Sequence, residues 1–510
     1  MTTPTHDLSG FTDLVDLASE RLGGAAIHCT DDFFATMENL VKAKEAVWDE
    51  HAYTERGKWM DGWESKRAHR ENHVEADGGE HQDTCIVRLG APGIVRGVVV
   101  DTAFFRGNYP SHCALEGTSV EGYPPAATIA ASTNWLPLLE KSALQGNAKN
   151  GFALHSEVRV THVRLRIFPD GGVARLRVYG EPLPDWRLHG GLEAELDLAS
   201  CELGGLVVAC SDMFFGSRHN LLFPGPSGGM HDGWETRRAR RPGHDWAVVQ
   251  LAARGSARRV VVDTSHFKGN CPESFLLEGT GHYEGERSAW HELVARTPLQ
   301  PHTRHVFPAA DAGACSHVRL RVYPDGGVAR FRLFGVLDEE ARGVQRARRL
   351  NAMPRFEAEQ ALHSCCGASA WVQRMLEARP FADGAAVARA ADAAFATLRE
   401  PDWLEAFAAH PRIGGKAPAG HATATSQAQS AQEQRAVDAA DQALKARLAE
   451  KNDEYFRRHG FIYIVKASGR SAAEMLALLD ERLGNDRATE LKNAAAEQQK
   501  ITALRLMRLG

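Results

Sequence analysis

The sequence predicts two all-β, antiparallel sandwiches in tandem, followed by an all-α helical domain. Three observations lead there. The first is a duplication. Asp61-Gly62-Trp63-Glu64, Asp101-Thr102, Arg106-Gly107-Asn108 and Pro169 to Arg175 recur, in the same order, as Asp232 to Glu235, Asp263-Thr264, Lys268-Gly269-Asn270 and Pro324 to Arg330. The period is far too long for a solenoid, so each copy is one folded unit. The second is the texture of the copies: short β-branched runs separated by glycine-rich turns. The third is a change of texture after Gly335, where Ala, Leu, Glu, Gln and Arg take over with helical spacing.

The elements follow in chain order. Val98-Val99-Val100 and Val260-Val261-Val262 lead into Asp-Thr and read as strands with at least one buried face. His162 to Phe168 and Val173 to Tyr179 alternate apolar residues with arginine around Pro169-Asp170-Gly171-Gly172. This pattern predicts a hairpin with one dry face and one cationic face, repeated at His317 to Phe334. The first sandwich is assigned to 1–182 and the second to 183–337. Residues 338–350 are charged and helix-prone, a linker helix. From 351 to 510 the domain is helical, with Trp371, Met375 and Leu376 on one face and Leu476, Leu479 and Leu483 on another. Asp402 to Ala409 reads as a helix ending before His410-Pro411, since the residue before proline disfavours helix. Residues 414–429 are small and polar, a loop between helices and a lid candidate.

Composition sets the remaining bounds. A formal charge of −5 gives no electrostatic case for nucleic-acid or membrane partners. Nine cysteines, with one adjacent pair and no C-x-x-C, argue against a disulfide framework or a structural zinc site, and for a reducing compartment. No apolar run is long enough to span a membrane. The N-terminal residues do not resemble a signal peptide. Cytoplasm is the expected location.

These landmarks carry a resemblance. Cys29 to Phe34, Gly57 to Glu64, Phe105 to Asn108 and Pro169 to Arg175 resemble allantoicase, as do Cys210 to Phe215, Asp232 to Glu235, Gly243 to Trp246, Phe267 to Asn270 and Pro324 to Arg330. The resemblance covers roughly residues 10–340. It implies a pair of jelly-roll-like sandwiches that hydrolyse allantoate to ureidoglycolate and urea. One block departs: Gly243-His244-Asp245-Trp246 stands in the first copy as Glu80 to Thr84.

The last third resembles OHCU decarboxylase, through His410 to Gly415, Ser430 to Gln434, Asn452 with Tyr455, Gly460 to Val465, and Lys500-Ile501 with Leu504 to Leu506. That family decarboxylates 2-oxo-4-hydroxy-4-carboxy-5-ureidoimidazoline (OHCU) to (S)-allantoin. The resemblance implies His410 as catalytic acid/base and Glu433 in the same pocket, with Pro411, Ser430, Gln434, Ile462 and Arg505 contacting substrate. Where related sequences carry an aromatic before Gly-Phe, this one has His459. Read alone, Ser430 and Glu433 also make a capping box, and a helix start is itself a natural seat for an anion. Histidine suits the chemistry, because its ordinary pKa lies nearest neutrality and decarboxylation needs a proton delivered to one face. Glu433 either orients His410 or repels the substrate carboxylate.

Allantoate hydrolysis needs an acid for the leaving ureido group, a base for water, and a cationic or N–H site for the carboxylate. The candidates shared by the copies are Asp61, Glu64, Arg67, Asp101 and Asn108, with Asp232, Glu235, Arg238, Asp263, Lys268 and Asn270. His244 and Asp245 add an option in the second copy. Asp170 and Asp325 belong to turns, and Asp101 sits where it can bond its own backbone. Among the 23 histidines there is no His-Glu-x-x-His and no tight His/Cys cluster, so no metal is expected, and no other cofactor. The reading is a bifunctional enzyme of purine (urate) catabolism acting on allantoate and OHCU, a homo-oligomer. The competing class is a tandem ligand-binding protein with a helical oligomerisation domain, or an enzyme keeping one activity. The copies either specialise or share one site.

Overall fold

The computed structural model describes residues 8, 10–68, 80–239, 242–410, 442–467 and 470–509. Residues Met1–Ala341 form one compact unit and Arg342–Gly510 another. The first holds two β-domains of the same design.

Each β-domain is organised by one long strand, Asp83–Asp101 in the first copy and Asp245–Asp263 in the second. The front half of Asp83–Asp101 pairs with Ala25–Cys29 on one side and Arg159–Phe168 on the other. Its rear half pairs with Lys149–Ala153 and Arg175–Pro182. The register breaks between Val160 and His162, opposite the stretch from Leu89 to Pro92. Proline offers no N–H to a ladder there, and the break lets one strand serve both layers. All strand pairs are antiparallel, and the second copy repeats the pattern. Val98, Val99 and Val100 are buried on both faces, as the β-branched run requires.

The predicted hairpin around Asp170 does not form. Arg159–Phe168 and Arg175–Pro182 lie on opposite halves of the long strand and do not pair with each other. The turn is captured instead: Gly172-Val173 pairs with Glu64-Trp63. Two glycines make this possible. Gly171 has φ +134°, and a Cβ on Gly172 would lie 2.0 Å from the Phe105 ring. Gly326 and Gly327 repeat both features against Phe267. The alternating arginines divide accordingly. Arg164 and Arg166 lie half-buried on the sheet face, paired with Glu116. Arg175 is buried and spends its guanidinium on Asp61, at 2.8 Å, and on the Asp61, Ala174 and Lys44 carbonyls. Arg330 does the same with Asp232, at 2.8 Å. Removing one partner strands a buried charge, so Arg175→Ala is expected to cost the first sandwich about 3–5 kcal/mol. Urea unfolding measures it; an unchanged midpoint contradicts this role.

The second unit is helical, from Glu339–Ala352 through Arg355–Cys365, Ser369–Glu377, Gly384–Ala396, Glu400–Ala408, Gln442–His459 and Ala472–Arg482 to Arg487–Met507. The expected faces are its core: Trp371 and Met375 are fully buried, and Leu476, Leu479 and Leu483 pack with them. Gly460 to Val465 is irregular chain, buried along most of its length. The helix Glu400–Ala408 opens on Asp402 accepting the Arg399 N–H and stops two residues short of His410. Residues 414–429, the lid candidate, and the Ser430–Glu433 capping box lie outside the described residues.

Candidate functional site

In the first sandwich the structure gathers three of the candidate side chains, Glu64, Arg67 and Asn108, with Asp170 from the turn. Glu64 is anchored through its backbone, which accepts from Phe34 N and Ala35 N and donates to Ala35 O. Its carboxylate is buried and accepts from Asn108 Nδ2 at 2.8 Å. Asn108 is fixed in turn, because its carbonyl accepts from Gly172 N at 2.7 Å. Arg67 donates through Nη1 to Asp170 at 2.8 Å, with half of its side chain exposed. Asp170 also accepts from Ala68 N at 3.1 Å. Burial raises the Glu64 carboxyl above its ordinary pKa, with Asp170 adding to the rise and Asn108 and Arg67 opposing it. A carboxyl kept protonated closer to neutrality is poised as a general acid.

The second sandwich builds the same pair in a different setting. Asn270 Nδ2 donates to Glu235 at 2.5 Å, but it also approaches the Met230 thioether at 3.7 Å. Glu235 is only half-buried and Arg238 is exposed. Asp325 accepts from Ala239 N. Lys268 is exposed in the loop before Asn270.

Other candidates are structural. Asp61 and Asp232 are held by Arg175 and Arg330, and Asp232 also by Arg21. Burial works against the charge of each, yet these partners keep both carboxyls below the ordinary range. Asp101 and Asp263 each accept a backbone N–H two residues on, at 2.8 Å. Trp63 and Trp234 are fully buried and donate to the Asp31 and Asp212 carbonyls, so they are core anchors. The departing block resolves through strand register: Asp83 and Asp245 open equivalent strands, and accept from Thr30 and Ser211 respectively. His244 stands exposed against Tyr323, with 5.2 Å between ring centroids.

A rim of residues escaped the sequence reading. Phe33 is 38% exposed beside Phe34, and Phe214 is 59% exposed beside Phe215. Each pair sits one peptide from the Glu64 or Glu235 backbone contacts. The available signal was an aromatic pair repeated in both copies after an acidic loop. A cleft of 470 Å³ also opens between the sandwiches, away from this cluster. Its charges are already paired, Asp16 with Arg177 at 3.6 Å and Arg21 with Asp232, so the Glu64 cluster is the stronger chemical site.

In the helical unit, His410 is half-buried just past Glu400–Ala408. Burial pushes its imidazole down to about 3, the Arg505 guanidinium adds to this, and Gln498 opposes it. Gln498, Thr502 and Arg505 are buried and follow helical spacing along Arg487–Met507. Gln498 Nε2 donates to Thr502 at 3.2 Å, and the Gln498 side chain is fully buried beside His410. Arg505 donates to the Ser364 carbonyl at 3.2 Å. A buried polar stripe is costly unless something answers it. The sequence reading named Arg505 but missed Gln498 and Thr502, although their spacing was visible. Ile462 is half-buried against the core of this unit. Pro411, Ser430, Glu433 and Gln434 lie outside the described residues. Among the described residues no group of three or more His, Cys, Asp or Glu is arranged to hold a metal ion.

Comparison with known proteins gives the family of each part of the chain. A family model described as the allantoicase repeat matches residues 15–183 and 196–338, and one described as OHCU decarboxylase matches 351–507. A probable allantoicase of Nocardia farcinica is 50% identical over 329 residues, covering 64% of this chain and 96% of that protein. The allantoicase of Dictyostelium discoideum is 42% identical over 332 residues, covering 63% of this chain and 87% of its own. The crystal structure of allantoicase from Saccharomyces cerevisiae superposes with a TM-score of 0.54 at 33% identity, covering 64% of this chain and 94% of that one.

Proposed function

Since the chain belongs to the allantoicase family and carries an OHCU decarboxylase domain behind its repeats, we propose that each unit performs its own step of purine catabolism, at the two clusters described above. The sandwich unit hydrolyses allantoate to ureidoglycolate and urea. The helical unit decarboxylates OHCU to (S)-allantoin.

For hydrolysis we assign the first repeat. The observation that carries this is the burial of Glu64 against Asn108, with its carboxyl raised. Glu64 protonates the ureido nitrogen as the carbon–nitrogen bond breaks and urea leaves. The second ureido nitrogen stabilises the electron-poor carbon. The resulting Glu64 carboxylate then takes a proton from the water that adds there, so one carboxyl serves as acid and then as base. Arg67 has the exposure to reach a ureido carbonyl oxygen, and Asn108 holds Glu64 in place.

For decarboxylation, His410 enters as a neutral base. It takes the substrate hydroxyl proton as CO2 departs and the electrons move into the substrate's own imine, whose nitrogen takes a proton from solvent. It then returns the proton to carbon on one face. Arg505 and Gln498 bind the carboxylate and polar edges of the ring, a role for which a guanidinium fork is suited. Glu433, Pro411, Ser430 and Gln434 keep the roles implied by the resemblance.

No described helix is long and apolar enough to cross a membrane. All nine cysteines are free, which supports a reducing compartment such as the cytoplasm. A homo-oligomer remains our expectation. The direct test is urea release from allantoate and CO2 release from OHCU by the full chain. Both products are expected. A folded chain that releases no urea would make the repeats ligand-binding modules.

A further inference from the structure

The two copies differ most between their Asn-Leu step and their Asp-Gly-Trp-Glu block. Residues 42–60 fill that interval in the first copy, but only 223–231 join Leu222 to Asp232 in the second. The extra chain folds into a small hairpin, Tyr53–Thr54 paired with Gly57–Lys58. It is stapled at its base. Lys58 donates to the Asp49 carbonyl at 2.7 Å and lies over the Trp48 and Tyr53 rings at 4.8 and 4.6 Å. Trp59 N donates to the Ala52 carbonyl.

The hairpin delivers one cation to the rim of the Glu64 cluster. Arg56 Nη1 donates to the Phe33 carbonyl at 2.6 Å, and its guanidinium lies 5.0 Å from the Phe33 ring centroid. The next residue, Phe34, donates its N–H to the Glu64 carbonyl. Arg56 and the Glu64 carbonyl thus meet opposite edges of the same Phe33–Phe34 peptide. Lys66 approaches the same ring at 5.5 Å. In the second copy Arg237 occupies the place of Lys66, over Phe214 at 4.4 Å, but the shorter interval supplies nothing in the place of Arg56. Among the described residues Arg56 makes no ion pair with a carboxylate.

A guanidinium pinned by a carbonyl and an aromatic face has lost much of its rotamer freedom, and Arg56 is exposed. Such a group is pre-organised for an oxyanion. We propose that Arg56 binds the carboxylate of allantoate and is a specificity-determining residue that only the first repeat possesses. This rests on the assignment of allantoate hydrolysis to the Glu64 cluster. The carboxylate is what distinguishes this substrate from neutral ureido compounds, so a dedicated cation at the rim selects the acid.

The test uses the full chain with Arg56→Ala and Arg56→Lys. Arg56→Ala is expected to raise KM for allantoate by about 10- to 100-fold, the range for a charged hydrogen bond lost, with kcat held within about threefold. Arg56→Lys should recover part of the loss, as a point charge without the fork. Inhibition by a small carboxylate such as glycolate should weaken in parallel. Unchanged KM in a folded Arg56→Ala protein overturns the proposal. So does a fall in kcat at constant KM, since that would mean Arg56 only props the Phe33 loop. A wild-type chain releasing no urea instead removes the hydrolase reading, and the proposal with it.

Discussion

Replacing His410 with alanine is expected to lower CO2 release from OHCU by about 10²- to 10⁴-fold, the usual range for a positioned acid or base. His410 stands where the helix Glu400–Ala408 has ended, within the field of Arg505 and beside Gln498. Burial and the Arg505 charge both disfavour the imidazolium, so the free enzyme holds a neutral ring at ordinary pH. The sign follows. A pKa pushed down to about 3 from 6.5 means that acidifying from pH 8 to pH 5 should not protonate His410. kcat/KM for decarboxylation, which reports the free enzyme, should therefore show no acid limb near pH 6.5. A limb at that pH, lost together with the histidine, would contradict a neutral base.

The second large effect belongs to Glu64. Glu64→Gln keeps the shape and can still meet Asn108, but it cannot give or take a proton. Urea release from allantoate is expected to fall by about 10²- to 10⁴-fold. Burial raises this carboxyl, as it does Asp101 and Asp16, but those two are held by backbone N–H groups, whereas the Glu64 carboxylate meets the Asn108 side chain. Glu64→Asp should also fail largely, because the shorter side chain withdraws from Asn108, so the loss reads as position as well as charge. Full turnover by folded Glu64→Gln would remove this residue from the mechanism.

Much of this was legible in the residues. The duplication and the change of texture after Gly335 gave two β-domains and a helical one. The Trp371 and Leu479 faces could be read because helical spacing is local. The hairpin could not. Alternating strands around Asp-Gly look the same whether they pair with each other or with a third strand, and here Asp83–Asp101 stands between them. That is a long-range choice with no local signature. The site was legible in part for the same reason. Glu64, Asn108 and Arg67 were each singled out and Asp170 was assigned to a turn, but three separate segments had to meet before the cluster existed. Asp61 looked chemical in sequence, and Asp101 was expected to be able to bond its own backbone. Only the buried arginine reveals Asp61 as structural, while Asp101 accepts the Ala103 N–H as expected. Arg56 was hidden because exposed arginines are common, and its meaning lies in the carbonyl that pins it.

The central claim is that two separate acid/base centres work in one chain. Glu64→Gln and His410→Ala, each made in the full chain, test it most directly when both proteins are assayed for urea from allantoate and for CO2 from OHCU. The account predicts a crossed result: Glu64→Gln loses urea release and keeps CO2 release, and His410→Ala does the reverse. Loss of both activities in either folded variant, or of neither, would contradict it.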